Sequence, residues 1–110
     1  MERIVIPPHY IHTRSTPFWT KTTAPPAIWL RHLDAGTRKG VYPRLSVMRG
    51  VILYCGFADR ESPEPVETLT IAAGQFGVFP PEVWHCIEAL SDDVLFSVDF
   101  YVDPKILLEE

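Results

Sequence analysis

The sequence predicts an all-β fold: a small antiparallel barrel or jelly roll followed by a short C-terminal helix. Three observations carry that expectation. The 110 residues include eleven prolines and six glycines, punctuation that helices tolerate badly and short strands joined by turns tolerate well. Apolar runs of strand length recur with turn signals every ~8–12 residues, the spacing of sandwiches and barrels. Within the Val41–Met48 run, Leu45 and Val47 fall on one face and Arg44, Ser46 and Met48 on the other, the period-two pattern of a half-buried strand.

Each element follows in chain order. Residues 1–26 hold Pro7-Pro8, Pro17 and Pro25-Pro26 and read as an extended arm, with one short strand over Arg3–Ile6. The remainder, 27–110, forms the single barrel domain, because a chain of this length has room for one core. A strand is expected over Ala27–Leu33, ended by Asp34-Ala35-Gly36 and Lys39-Gly40 turns. Val41–Met48 and Val51–Phe57 flank Arg49-Gly50, a tight hairpin signal. The polar segment 58–65 is an exposed loop. Strands then follow over Val66–Ile71, Phe76–Phe79, Val83–Leu90 and Val94–Val102, separated by Ala72–Gln75, Pro80-Pro81 and Ser91–Asp93. Asp103 as N-cap with Pro104 at the first helical position starts a terminal helix.

Composition narrows the function classes. Eight of ten basic residues precede residue 50, and twelve of fourteen acids follow it. That asymmetry fits two halves that pair strands and neutralise one another better than it fits a nucleic-acid surface, since no polybasic run or RNA-binding motif accompanies it. No apolar run approaches the ~20 residues of a membrane span. Cys55 and Cys86 form no CxxC and follow no secretory segment, so the expectation is a cytoplasmic protein with free thiols, Cys55 as a small buried hydrophobe. No GxSxG, P-loop or dinucleotide fingerprint is present.

The stretch Gly74-Gln75-Phe76-Gly77-Val78-Phe79-Pro80-Pro81-Glu82-Val83-Trp84-His85 is similar to the second motif of the cupin superfamily. Gly74, Pro80 and His85 match it, while Glu82 stands where glycine is usual. The first cupin motif fits poorly: Gly50 can close it, but Pro43 occupies the glutamate position and no HxH precedes it. Of the usual metal ligands only His85 carries over. A closer resemblance covers residue 9 to the C-terminus. Pro17-Phe18-Trp19, Arg31-His32, Tyr42–Val47, Trp84–Glu88, Ser91–Asp93 and Val98–Tyr101 resemble, in order, the TehB/YeaR-like domain, which occurs alone and as the N-terminal part of tellurite-resistance methyltransferases. The resemblance implies a cupin-type barrel in bacterial stress responses, tellurite and nitrate among them. Although relatives carry a methyltransferase, this chain is expected neither to bind S-adenosylmethionine nor to transfer methyl groups, since the glycine-rich strand–helix turn that such binding needs is not found in it.

His32 ends one expected strand and His85 opens another, both where barrel mouths carry ligands. Asp99 is an acid inside an apolar strand, costly to bury unless paired or bound to a cation. The expected site is therefore a metal centre of His32, His85 and Asp99, with zinc first and iron second. The competing reading pairs Asp99 with Arg44 or Arg31 and leaves the histidines hydrogen-bonded to backbone or water. Glu88 and Glu82 are weaker acids for the site, and His9 and His12 read as surface residues. Trp84, Trp29, Phe79 and Tyr54 either line a pocket or pack the core. Two functions follow: a metal-binding stress-response protein that binds or senses a small molecule or oxyanion, and a metal-dependent dioxygenase or isomerase. Neither a nucleic acid nor a membrane is an expected partner. Open sheet edges favour a homodimer.

Overall fold

The computed structural model describes residues 4–33 and 39–108. Its strands are β1 (Ile11–Ser15), β2 (Trp19–Thr20), β3 (Val41–Arg49), β4 (Val51–Phe57), β5 (Glu67–Ala72), β6 (Phe76–Val78), β7 (Trp84–Ala89) and β8 (Leu95–Val102), and α1 (Pro104–Leu108) follows them. They form two antiparallel sheets, one ordered β1-β8-β3-β6 with β2 also on β8, the other β5-β4-β7. The all-β class and the terminal helix are as expected. The barrel is corrected to two facing sheets that do not close into one continuous ladder.

The core lies between them. Leu45 and Val47 from β3 and Phe96 and Val98 from β8 meet Ile52 and Tyr54 from β4, Ile71 from β5 and Ile87 from β7. In β3 the burial alternates strictly through Val41, Pro43, Leu45 and Val47, so the period-two pattern sorts its side chains into core and surface. The β3–β4 hairpin turns on Gly50 at φ +75°, a left-handed conformation open to glycine at little cost. A Cβ there would meet the Ser91 hydroxyl, with Asp93 Oδ1 and Val94 Cγ1 both at 2.9 Å. The Asp103 carboxylate accepts from Lys105 N at 3.0 Å and caps α1.

Two local expectations are corrected. The segment Ala27–Leu33 is not a strand: Pro26–Trp29 forms a 3₁₀ turn with proline in its first turn, and only His32 bridges to a strand. Residues 4–6 carry no strand either; the N-terminal strand is β1, which pairs with β8 from Ile11↔Val102 to Ser15↔Asp99. All five β1 residues are exposed, which leaves them no apolar face to betray the strand. The Asp34–Gly36 turn, Arg3 and the last two residues lie outside the described residues.

The halves of the chain do meet through opposite charges. Arg44 on β3 reaches Asp99 on β8 at 3.0 Å, and Lys21 reaches Asp92 at 2.9 Å. The second pair is exposed and contributes little. Arg31 anchors the 58–65 loop by donating from Nη1 to Arg60 O at 2.8 Å and Ser62 O at 2.7 Å, with its guanidinium 3.4 Å from the Phe57 ring centroid.

Candidate functional site: a histidine pair on an inter-sheet cavity

The His32 and His85 backbones form a reciprocal antiparallel bridge, His32 N to His85 O at 2.9 Å and His85 N to His32 O at 3.1 Å. Residues directly opposite across such a bridge project to the same face, and the two imidazole centroids lie 4.3 Å apart. Each ring is oriented by its own chain. His32 Nδ1 is 2.8 Å from Leu30 O, and His85 Nδ1 is 2.7 Å from Val83 O. A carbonyl only accepts, so both Nδ1 atoms carry a proton, and in the neutral form of a ring so oriented the lone pair is on Nε2. His85 is 8% exposed.

The pair opens on a cavity of about 230 Å³ between the sheets. Its walls are largely apolar: Leu45 and Pro43 from β3, Val98 and Phe100 from β8, Ile87 from β7, with Phe79, Trp19 and Ile28. Thr16 adds a hydroxyl, which donates to Pro17 O and accepts from Val98 N. The two histidines are the only titratable side chains among the described lining residues. Tyr54 stacks on Phe79 at 3.7 Å behind this wall, its ring centroid 6.1 Å from that of His85. Burial drives the Tyr54 phenol far above its ordinary pKa, and Glu67 adds to the rise, so it stays neutral.

Asp99 is not brought to the histidines. Along β8 the cavity receives Val98 and Phe100, and alternation turns Asp99 to the other face. There it takes Arg44 Nη2 on Oδ2 at 3.0 Å and the Ser15 hydroxyl on Oδ1. Burial pushes its carboxyl pKa up, but the Ser15 and Arg44 hydrogen bonds and the Arg44 charge outweigh that and hold it below the usual carboxylate range. Among the described residues no group of three His, Cys, Asp or Glu side chains is placed to hold a metal ion. The sequence held the clue to this split: Phe96, Val98 and Phe100 make an apolar face on which Asp99 cannot lie.

The remaining candidates are dispersed. Glu88 and Glu82 are exposed, as are His9 and His12. His12 Nε2 lies 2.7 Å from Ser15 Oγ. Of the four aromatics weighed as pocket walls, Phe79 lines the cavity. Trp29 packs on Phe96 at 5.9 Å and borders an outer groove instead. Trp19 and Phe100 are the aromatics that sequence reasoning missed. Neither had a signal distinguishing it from an ordinary core residue.

Fold and site together define a small two-sheet β-protein with a histidine pair set into an apolar cavity. The chain belongs to the TehB-like domain family, whose model matches residues 14–98. It is 62% identical over 104 residues to the uncharacterized protein YeaR of Escherichia coli (strain K12), covering 94% of this chain and 87% of that one. It is 27% identical over 88 residues to the probable S-adenosyl-L-methionine-dependent methyltransferase TehB of Haemophilus influenzae (strain 10810), covering 80% of this chain but 29% of that protein. Among solved structures, a protein from Escherichia coli (strain K12) superposes with a TM-score of 0.88 at 62% identity, over 92% of this chain and 89% of the other. TehB from Haemophilus influenzae gives 0.73 at 25% identity, over 86% and 32%. No helix among the described residues is long and apolar enough to cross a membrane.

Proposed function

We propose that this chain is a cupin-type binding protein whose inter-sheet cavity takes a small ligand, with His32 and His85 as the polar anchor, directly or through a divalent metal ion. The observation that carries this reading is the bridge between His32 and His85 on the wall of the apolar cavity. Pockets that bind small molecules combine apolar walls with a few oriented polar groups. The cupin assignment is supported by the backbone of the motif as well as by its letters. Gly74 has φ +86°, and Glu82, at the position where the motif usually has glycine, has φ +60°. That position asks for a left-handed residue whichever side chain occupies it.

The donor set fits a metal in part. Both imidazoles have the Nδ1–H to carbonyl bond that orients metal-binding histidines and fixes the tautomer. The third expected ligand, Asp99, is engaged by Arg44 and Ser15 on the other face. An ion at the pair, zinc before iron, would supply a Lewis-acidic centre for an oxyanion or another oxygen donor. This chain's own residues position it, exclude water on the apolar side and leave the charge balance to the ligand. A small oxyanion of the tellurite or nitrate type would bind through that ion and not to the bare rings, because an Nε2 lone pair offers an anion no donor and the apolar walls penalise an unpaired charge.

Binding is favoured over a dioxygenase or isomerase because the described cavity lining presents no acid–base group besides the two histidines. Methyl transfer, the activity in the TehB name, is not carried over, as the aligned part makes up 29% of TehB. Metal analysis of natively purified protein tests the reading. Zinc or iron near one equivalent is expected in the natural protein and should be lost in a His32→Ala, His85→Ala variant that still folds. Equal metal content in both would remove the ion from the proposal.

A further inference from the structure

On the outer face of the β5-β4-β7 sheet, Cys55 of β4 lies directly opposite Cys86 of β7. Both thiols are free and partly exposed. The flanking pairs Tyr54↔Ile87 and Gly56↔His85 point inward, so the cysteines share the face turned away from the cavity. Residues directly opposite in an antiparallel pair have Cα atoms ~4.5 or ~5.5 Å apart. A disulfide accommodates ~4.4–6.8 Å, so either spacing suits one without backbone movement.

We propose that Cys55 and Cys86 are a redox dithiol, which a low-molecular-weight disulfide converts reversibly into a cross-strand disulfide. A shallow groove bordered by Lys21, Trp29, Cys86 and Glu88 gives a small reagent access to Cys86. The Cys86 thiolate attacks one sulfur of the reagent, and the broken S–S bond releases one thiolate. The Cys55 thiolate then attacks the Cys86 sulfur of the mixed disulfide and expels the second. Two protein thiols are oxidised by two electrons, one disulfide is reduced to two thiols, and the protons from the cysteines pass to the leaving thiolates. The bond would lock the register of β4 against β7, and so the strand segment that carries His85. It is independent of what the cavity holds.

Thiolates are the reactive form. Burial pushes both thiols above their ordinary pKa; Arg31 opposes this at Cys86 while Glu88 adds to it at both. Exchange should therefore quicken as pH rises through the alkaline range. The test incubates the reduced, native chain with glutathione disulfide at alkaline pH and follows intact mass. A product lighter by two hydrogens, restored by dithiothreitol, is expected, with Cys55–Cys86 linkage in the peptide map. Cys55→Ser should instead hold a single glutathione on Cys86. Accumulation of glutathione adducts in the natural sequence, chain–chain disulfides or unreacted thiols would each overturn the assignment.

Discussion

Glu82 shows how one residue can be set against its own backbone. At φ +60° it pays the steric cost of a side chain in the left-handed region, ~1–2 kcal/mol, less the entropy a glycine would lose on folding, roughly 0.5–1 kcal/mol. Glu82→Gly should therefore stabilise the fold by about 0.5–1 kcal/mol, read as a higher denaturant midpoint. Asp99 is the opposite case, a residue well served by its surroundings. Replacing it with asparagine leaves Arg44 without its anionic partner and should cost about 1.5–3 kcal/mol, the range for hydrogen bonds to charged groups. The pH dependence has a definite sign. Asp99 has a folded pKa below the usual carboxylate range, so its contribution is complete above the unfolded value of ~3.9 and disappears as pH falls through the folded one. Denaturation curves of the natural protein and Asp99→Asn should differ at neutral pH and converge in acid below about pH 4. A constant difference into strong acid would exclude this account.

At the scale of elements, the β3–β4 hairpin depends on its turn. Gly50→Ala combines a left-handed alanine with the crowding of Ser91, Asp93 and Val94, and a loss of about 2–4 kcal/mol is expected in thermal or chemical unfolding. A change under ~0.5 kcal/mol would mean that the hairpin relaxes at little cost. β8 is the element that organises the larger sheet, pairing with β1 and β2 on one side and β3 on the other. Its two faces divide the labour: Phe96, Val98 and Phe100 face the core and cavity, and Asp99 holds Arg44 outside. Because β7 likewise has His85 inside and Cys86 outside, one strand carries both the cavity anchor and one half of the proposed dithiol.

For the whole molecule, the sheet order leaves β1 at an edge with all five residues exposed. An uncovered edge invites pairing with a second copy. Light scattering is expected to give twice the chain mass of 12.5 kDa; the mass of a single chain at high concentration would reject the dimer. The two sheets also explain why the cavity exists at all. Sheets packed face to face are filled by interdigitating side chains, and here the fill is completed by Ala24, Phe79 and the 3₁₀ turn from outside the long strands.

What the sequence determined by itself was whatever depends on neighbours along the chain. Strands β3 and β4 were legible from alternation around Arg49-Gly50, α1 from Asp103-Pro104, and the turns from Gly74 and Pro80, because period, turn chemistry and capping are local physics. The 3₁₀ turn at Pro26–Trp29 was hidden, since a short apolar run looks alike in either conformation, and β1 was hidden because its exposed residues carry no pattern. Only the tertiary structure decided which distant groups meet. It set His32 against His85 through a single bridge, gave Asp99 its partner Arg44 on the face that alternation along β8 had already assigned to it, and placed Cys55 opposite Cys86. Register across strands is fixed by packing of the two sheets on one core, and no residue carries that information in its immediate neighbours.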